Sequence, residues 1–344
     1  MPAAKKFIAA TAKANGVDNP AKTFAVEPQK SRVMRAAMRK SSAFLSLVNI
    51  VTKQNNAGEI IGITTGLTAS RKGKSATGYT DADGRRQPKT QGTADKREYR
   101  LRKVNFDTAF TYEQLDEWAA EPNYLQLVQQ GIVKSKAESL ISIGFNGKEW
   151  AVTSNPESNP LLQDCGKGWL QQMRETNQAR TMGWQSGQIG TTKQAVKYGP
   201  GAETYKNLDA VVMDAVSNLL AEEFNSRQDL VVICNRSMLD DKYFAVVNGA
   251  EDKATELNAA DVLASKRRIG GIDAIAVPYF PANTLFITPL ANLSIYFHAT
   301  GHRRSVKDEP EFDRVANYES ENIDFVIEEL GAAALIENIE YTPA

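Results

Sequence analysis

From residue 65 to residue 98 the chain carries only two large apolar side chains, Leu67 and Tyr79, amid Gly, Thr, Ser, Ala, Lys and Arg. A span of that composition buries too little apolar surface to offset the entropy of ordering it around a core of its own. Strand patterns flank it, at 59–64 (EIIGIT) and at 99–106 (YRLRKVNF), the second alternating well enough to be the return of the first. The combination predicts a long hairpin arm rather than a domain. Inside a compact fold, an arm of this length serves a function or stays disordered.

The tip of that arm contains Gly73-Lys74-Ser75, which matches the end of a phosphate-binding loop. The full motif, G-x-x-x-x-G-K-[ST], needs a glycine five positions before Gly73, and that position is Thr68. Gly66 lies two residues too far away, and residues 76–92, rich in Gly, Asp, Thr and Pro, start no helix. A P-loop nucleotide hydrolase is therefore only a remote reading.

Formal charge sums to zero, yet it is segregated along the chain. Residues 71–103 hold eleven Lys/Arg against four Asp/Glu, a net of +7, and residues 308–340 hold eleven Asp/Glu against one Arg, a net of −10. Each block repels itself. Either they form two solvated faces, or the basic block of one copy sits on the acidic block of another, where complementarity sets partner and register. A third basic stretch, with Lys30, Arg32, Arg35, Arg39 and Lys40, has no acid between Glu27 and Glu59.

Residues 2–15 read as a short helix, broken by Gly16 to Pro20, so that the first two dozen residues look like a detachable appendage. A basic helix or arm is expected over 29–46 and a short helix over 112–120. A rod of about six turns follows over 123–145. Further helices are expected over 166–176 and 205–224, and near 237–247 and 258–264. Leu230 to Cys234 reads as a buried strand. The C-terminal third is strand-rich, at 273–277, 284–287, 294–297, 323–327 and 334–339. Such mixing indicates an α+β architecture.

Catalytic chemistry has little to stand on. Only His298 and His302 are present, and Gly301 with a strand ending near His298 argues against a shared metal on a helix. Cys165 and Cys234 lie far apart and read as buried free thiols. No apolar run reaches eighteen residues, the length of a membrane-spanning helix.

Several stretches, in order, resemble the major capsid protein of P2-like tailed bacteriophages. They are NPLLQD at 159–164, GWLQ at 168–171, KRRIG at 266–270, VPYFPA at 277–282 and NLSIYF at 292–297, with DRV, NYES and NID between 313 and 324. The likeness runs from about Phe24 to Tyr341. It implies an HK97-like capsid fold and no enzyme activity, cofactor, metal, membrane or small-molecule substrate. The implied parts are a cleaved prosegment over 1–24, an N-arm over 25–57 and an E-loop over 58–106. The P-domain would begin over 107–204, with its spine helix at 123–145. An A-domain would follow over 205–297, and the P-domain's C-terminal strands over 298–344.

In such a fold the E-loop lies over a neighbouring P-domain. The resemblance thus assigns Arg71, Lys72, Lys74, Arg85, Arg86, Lys89, Arg97 and Arg100 to inter-subunit contacts. Their acidic partners would be Asp308, Glu309, Glu311, Glu319, Glu321, Glu328 and Glu329. Arg32, Arg35, Arg39 and Lys40 would face packaged double-stranded DNA, or else pair only with neighbouring subunits. The prosegment would be cut at Phe24–Ala25. Implied partners are further copies in hexamers and pentamers, scaffold/protease and portal proteins, and DNA bound non-specifically. The location would be the virion capsid, assembled in the host bacterial cytoplasm. An encapsulin-like nanocompartment is the alternative within the same fold.

Overall fold

A fourteen-residue strand, Arg314–Ile327, organises the larger of two main sheets. Its side chains alternate, so Val315, Asn317, Glu319, Glu321, Ile323, Phe325 and Ile327 share one buried face, while near its ends Ala316 and Val326 are covered too. Its first half pairs antiparallel with Arg303–Glu309 on one side and Thr108–Thr111 on the other. Its second half pairs with Arg102–Asn105 and with Leu293–His298. Phe24–Ala25 and Asn49–Lys53 extend this seven-stranded sheet. A six-stranded sheet is centred on Leu230–Cys234 and Leu285–Pro289. The computed structural model describes residues 3–61, 96–240 and 267–343.

Against the larger sheet lies the helix Tyr124–Asn146. Val128, Ile132, Lys136, Leu140 and Ile143 recur at spacings of three and four, which places them on one face, and all five are buried. The helix's last two turns are buried on every side because the helix Trp169–Thr176 closes over them. Trp169, fully buried, meets Phe145 and Phe325 edge-on at 5.2 Å and donates its indole N–H to Ser294 O at 3.2 Å. A second core lies under the helix Leu208–Asn218, where Val211, Val212 and Ala215 meet Val232, Ile287 and Ile336.

Four expectations need correction. The first helix, Ala3–Asn15, is no loose appendage: Ala3, Ala4, Phe7 and Thr11 are buried, and the apolar three pack in a core with Leu115, Val128, Ile132, Val306 and Val315. The return strand of the arm is Lys96–Arg100, paired with Ala57–Ile61, not 99–106. At Leu101 the backbone N–H turns to Asn56 O at 2.7 Å, and Arg102–Asn105 joins the seven-stranded sheet. The predicted strand at 334–339 is two, Ala334–Ile336 and Ile339–Tyr341, separated by Asn338 at a positive φ of 52°. Finally, sheet membership crosses the expected A-domain limits. Leu293–His298 lies within the larger sheet, while Thr181–Met182 and Ala334–Ile336 belong to the six-stranded one.

The paired strands Ala57–Ile61 and Lys96–Arg100 belong to a separate unit, in which Gly58 faces Tyr99. A Cβ at Gly58 would stand 2.7 Å from the Tyr99 hydroxyl, so a larger residue there would push the Tyr99 ring aside. The helix expected near 258–264 and part of that expected at 237–247 lie outside the described residues, as does the tip of the arm.

Candidate functional site

Four segments place charge in the larger core. The arm helix Pro28–Ser41 turns Ser31, Arg35 and Met38 inward at helical spacing. The spine helix contributes Lys136, and the long strand contributes Glu319 and Glu321 by its alternation. Arg35 donates to Glu321 Oε1 at 2.9 Å and 3.2 Å and to His298 O at 3.0 Å, with its guanidinium 4.6 Å from the centre of the Phe297 ring. Lys136 Nζ is 2.7 Å from Glu321 Oε2, and it also donates to Glu319 Oε1. His302 Nε2 is 2.9 Å from that same Glu319 oxygen, and its Nδ1 shares a 2.8 Å hydrogen bond with Ser31 Oγ. Arg304 completes the group through Asn317, at 2.6 Å. All of these charged side chains are buried.

Burial alone would push the Glu319 carboxyl up, but the Lys136 ammonium, His302 and Arg304 together outweigh it and hold it well below the usual carboxylate range. Glu321 is likewise lowered against burial, by Lys136, His302 and Arg35. Burial lowers Lys136, yet Glu321 and Glu319 reverse this and raise it. The stability consequence has a definite sign. Carboxyls depressed in the folded state stabilise it above their unfolded value, near 4.5, and lose that contribution as pH falls below it. The thermal midpoint of the subunit is therefore expected to fall steeply from pH about 5 towards pH 3. Glu319→Gln, although less stable at neutral pH, should show a flatter curve over the same window; an unchanged slope would refute the assignment.

This network corrects the placement of several predicted residues. Glu319 and Glu321, expected at a neighbour's arm, are buried and already paired within the chain, because strand parity turns them into the core. Arg35, expected at DNA, is buried with them. Glu309 is half-buried, accepting from Arg314 at 2.7 Å and from the Tyr318 hydroxyl at 2.6 Å. Glu328 accepts from Ser294 and Tyr296, and the Glu329 backbone is held by Asn292.

Asp308 and Glu311 remain exposed beside the hairpin tip that ends in Phe312, itself 63% exposed. Asp308 accepts from the Tyr112 hydroxyl, and that hydrogen bond is the main force pushing the phenol up to about 12. Arg32, Arg39 and Lys40 are exposed on the arm helix, Arg39 donating to Ser46 O at 2.9 Å. Arg100 is exposed and Arg97 half-buried, on the strand Lys96–Arg100. Arg71, Lys72, Lys74, Arg85, Arg86 and Lys89 lie outside the described residues, as does Gly73-Lys74-Ser75.

Phe24 and Ala25 pair antiparallel with Arg304 and Arg303. Cys234 is buried and Cys165 half-buried, both free. The two histidines diverge: His302 enters the charged cluster, whereas His298 Nδ1 accepts from the Thr300 N–H at 3.2 Å.

A spine helix against a sheet, a second sheet, a separate hairpin unit and an ordered N-terminal arm together define the HK97-like fold of tailed-phage capsid proteins. The solved chain of the satellite phage P4 procapsid including size determination (Sid) protein has this fold, with a TM-score of 0.79 and 38% identity, each chain covered to 98%. A capsid chain of the empty GTA particle shares the fold at a TM-score of 0.52 and 13% identity, over 87% of this chain and 90% of that one.

Residues 3–339 match the family described as "Phage major capsid protein, P2 family", and the chain belongs to it. It is 41% identical to the capsid protein of Escherichia phage P2, over 97% of this chain and 92% of that one. To the major capsid protein of Serratia phage KSP20 it is 36% identical, over 92% and 89%. These relatives favour a phage shell over a cargo-enclosing compartment. Self-association into a shell is the property this family shares.

Proposed function

We propose that the chain closes into hexamers and pentamers of an icosahedral head enclosing double-stranded phage DNA. Assembly takes place in the host bacterial cytoplasm, with scaffold/protease and portal proteins as partners. The observation that carries this reading is the full-length agreement with a chain of a phage procapsid, 98% of each covered. Within the shell, the basic hairpin of one subunit reaches the exposed acids of a neighbour's hairpin tip, Asp308 and Glu311. Each such ion pair is weak and screened, but a closed shell repeats it around every capsomer, so many small terms act at once. The main division of labour follows the two sheets: the larger sheet and spine helix form the peripheral P-domain and the six-stranded sheet the axial A-domain. Residues 1–24 act as a prosegment removed at Phe24–Ala25.

One experiment tests these points together. The chain is expressed with its scaffold and protease, and particles are isolated, imaged by electron microscopy and weighed by mass spectrometry of their subunits. Shells with subunits starting at Ala25 are expected; subunits retaining Met1 or Pro2 would sink the cleavage step. Reversing Arg85, Arg86, Arg97 and Arg100 to Glu should cut particle yield by about tenfold or more while the subunit stays folded. Normal shells from that variant would remove the charge-pairing contact.

A further inference from the structure

The arm helix Pro28–Ser41 uses only one side to hold the body. Opposite the inward Ser31, Arg35 and Met38, it exposes Val33, Ala36, Ala37 and Lys40, with Arg32 on the flank. Val33 is 69% exposed, and Leu47 on the next helix is 52% exposed. Arg32 and Lys40 form no ion pair with any described residue. This is a helix face both basic and apolar.

The same body carries a face of the opposite kind. The helix Tyr112–Trp118 buries Leu115 and exposes Glu113, Asp116 and Glu117. Trp118 is 37% exposed, and Leu127 on the adjoining spine helix is 52% exposed. Glu113 and Glu117 stand one turn apart on the open side, a like-charge spacing that mildly destabilises an isolated helix.

We infer that these two faces meet between copies: the outer face of one subunit's arm helix docks on the acidic helix of the next, cations against carboxylates and Val33 against the exposed apolar side chains. This contact rests on the shell-forming reading and adds to it a second interface, independent of the hairpin arm. Neither face can pair with itself without bringing like charges together. The contact is therefore heterologous, the kind that closes into a ring where the rotation permits. A DNA duplex would satisfy Arg32 and Lys40 but would leave Val33 and Leu47 without an apolar partner, so a protein surface fits the face better.

The test is a charge swap in the full chain, expressed with its assembly partners. Arg32→Glu/Lys40→Glu should lower particle yield by about tenfold, and so should Glu113→Lys/Glu117→Lys. Combining all four substitutions, or co-expressing the two double variants, should bring the yield back towards wild type. Circular dichroism of the unassembled subunits verifies that each variant folds.

Full assembly by either double variant overturns the inference, and so does a loss that the combination fails to rescue. If the arm variant forms normal shells that no longer retain DNA, the face belongs to nucleic acid and the inference again falls. Failure of the wild-type chain to form particles would instead remove the shell-forming reading, and this contact with it.

Discussion

Lys136→Met should destabilise the unassembled subunit by about 3–5 kcal/mol, measured by urea denaturation, because the change strands two buried carboxylates. Lys136 lies between Glu319 and Glu321 and its ammonium pairs with both. His302 and Arg304 still face Glu319 and Arg35 still reaches Glu321, but the lost ammonium leaves the core net more negative. A thioether of similar length keeps the packing against Phe106, whose ring centre is 5.0 Å from Nζ, so the loss reports charge rather than volume.

The double change Lys136→Met/Glu321→Gln should lose less than the sum of the two single changes, since removing both charges relieves the imbalance. Strict additivity would mean that the pair is not coupled. The arm should register the loss as well. Arg35 holds the helix Pro28–Ser41 to the long strand through Glu321, and Ser31 holds it to His302. Hydrogen exchange over residues 28–41 is accordingly expected to speed up in the variant relative to the six-stranded sheet.

The sequence displayed that cluster in a form that is easy to misread. Residues 308–340 stand out as an acidic block, and counting charge suggests a surface. Counting parity gives a different answer. Extending the apolar alternation Ile323, Phe325, Ile327 backwards by twos passes through Glu321, Glu319, Asn317 and Val315, all buried. Three of the block's eleven acids, Glu319, Glu321 and Glu337, are interior, the last held by Arg174 and by the indole of Trp184. Arg35 carries the same signal, since it shares the inward spacing of Ser31 and Met38. Lys136 carries it too, one turn after Ile132 and one before Leu140.

Composition and periodicity make legible a long helix, where a single inward charge such as Lys136 leaves the other turns readable, and a short strand whose apolar run is unbroken. The spine helix, which the sequence places over 123–145, runs Tyr124–Asn146, and the strand Leu230–Cys234 lies where the sequence places it. The strand Arg314–Ile327 shows in the sequence only over 323–327, because charged residues at inward positions break its apolar pattern. The docking of the first helix leaves no clear mark in the sequence either. Its single large fully buried anchor, Phe7, with Ile8 partly buried beside it, is too little to signal a core that the rest of the chain supplies.

Gly168→Ala is expected to cost about 3 kcal/mol, at the upper end for an added methyl group, because the obstruction is main chain. A Cβ at Gly168 would stand 2.3 Å from Gly144 O and 2.5 Å from Ile143 O, the carbonyls of the spine helix where the helix Trp169–Thr176 begins. Carbonyls locked in a buried helix cannot move aside, so the two helices must separate and loosen Trp169 between Phe145 and Phe325. Gly144→Ala meets a different obstacle, the Trp169 ring at 2.4 Å. Its cost should therefore shrink when combined with Trp169→Phe, whereas that of Gly168→Ala should not. Urea denaturation of the three single variants and the two double variants separates the two cases. Equal relief in both would show that side-chain crowding, rather than the approach of two backbones, sets how closely these helices pack.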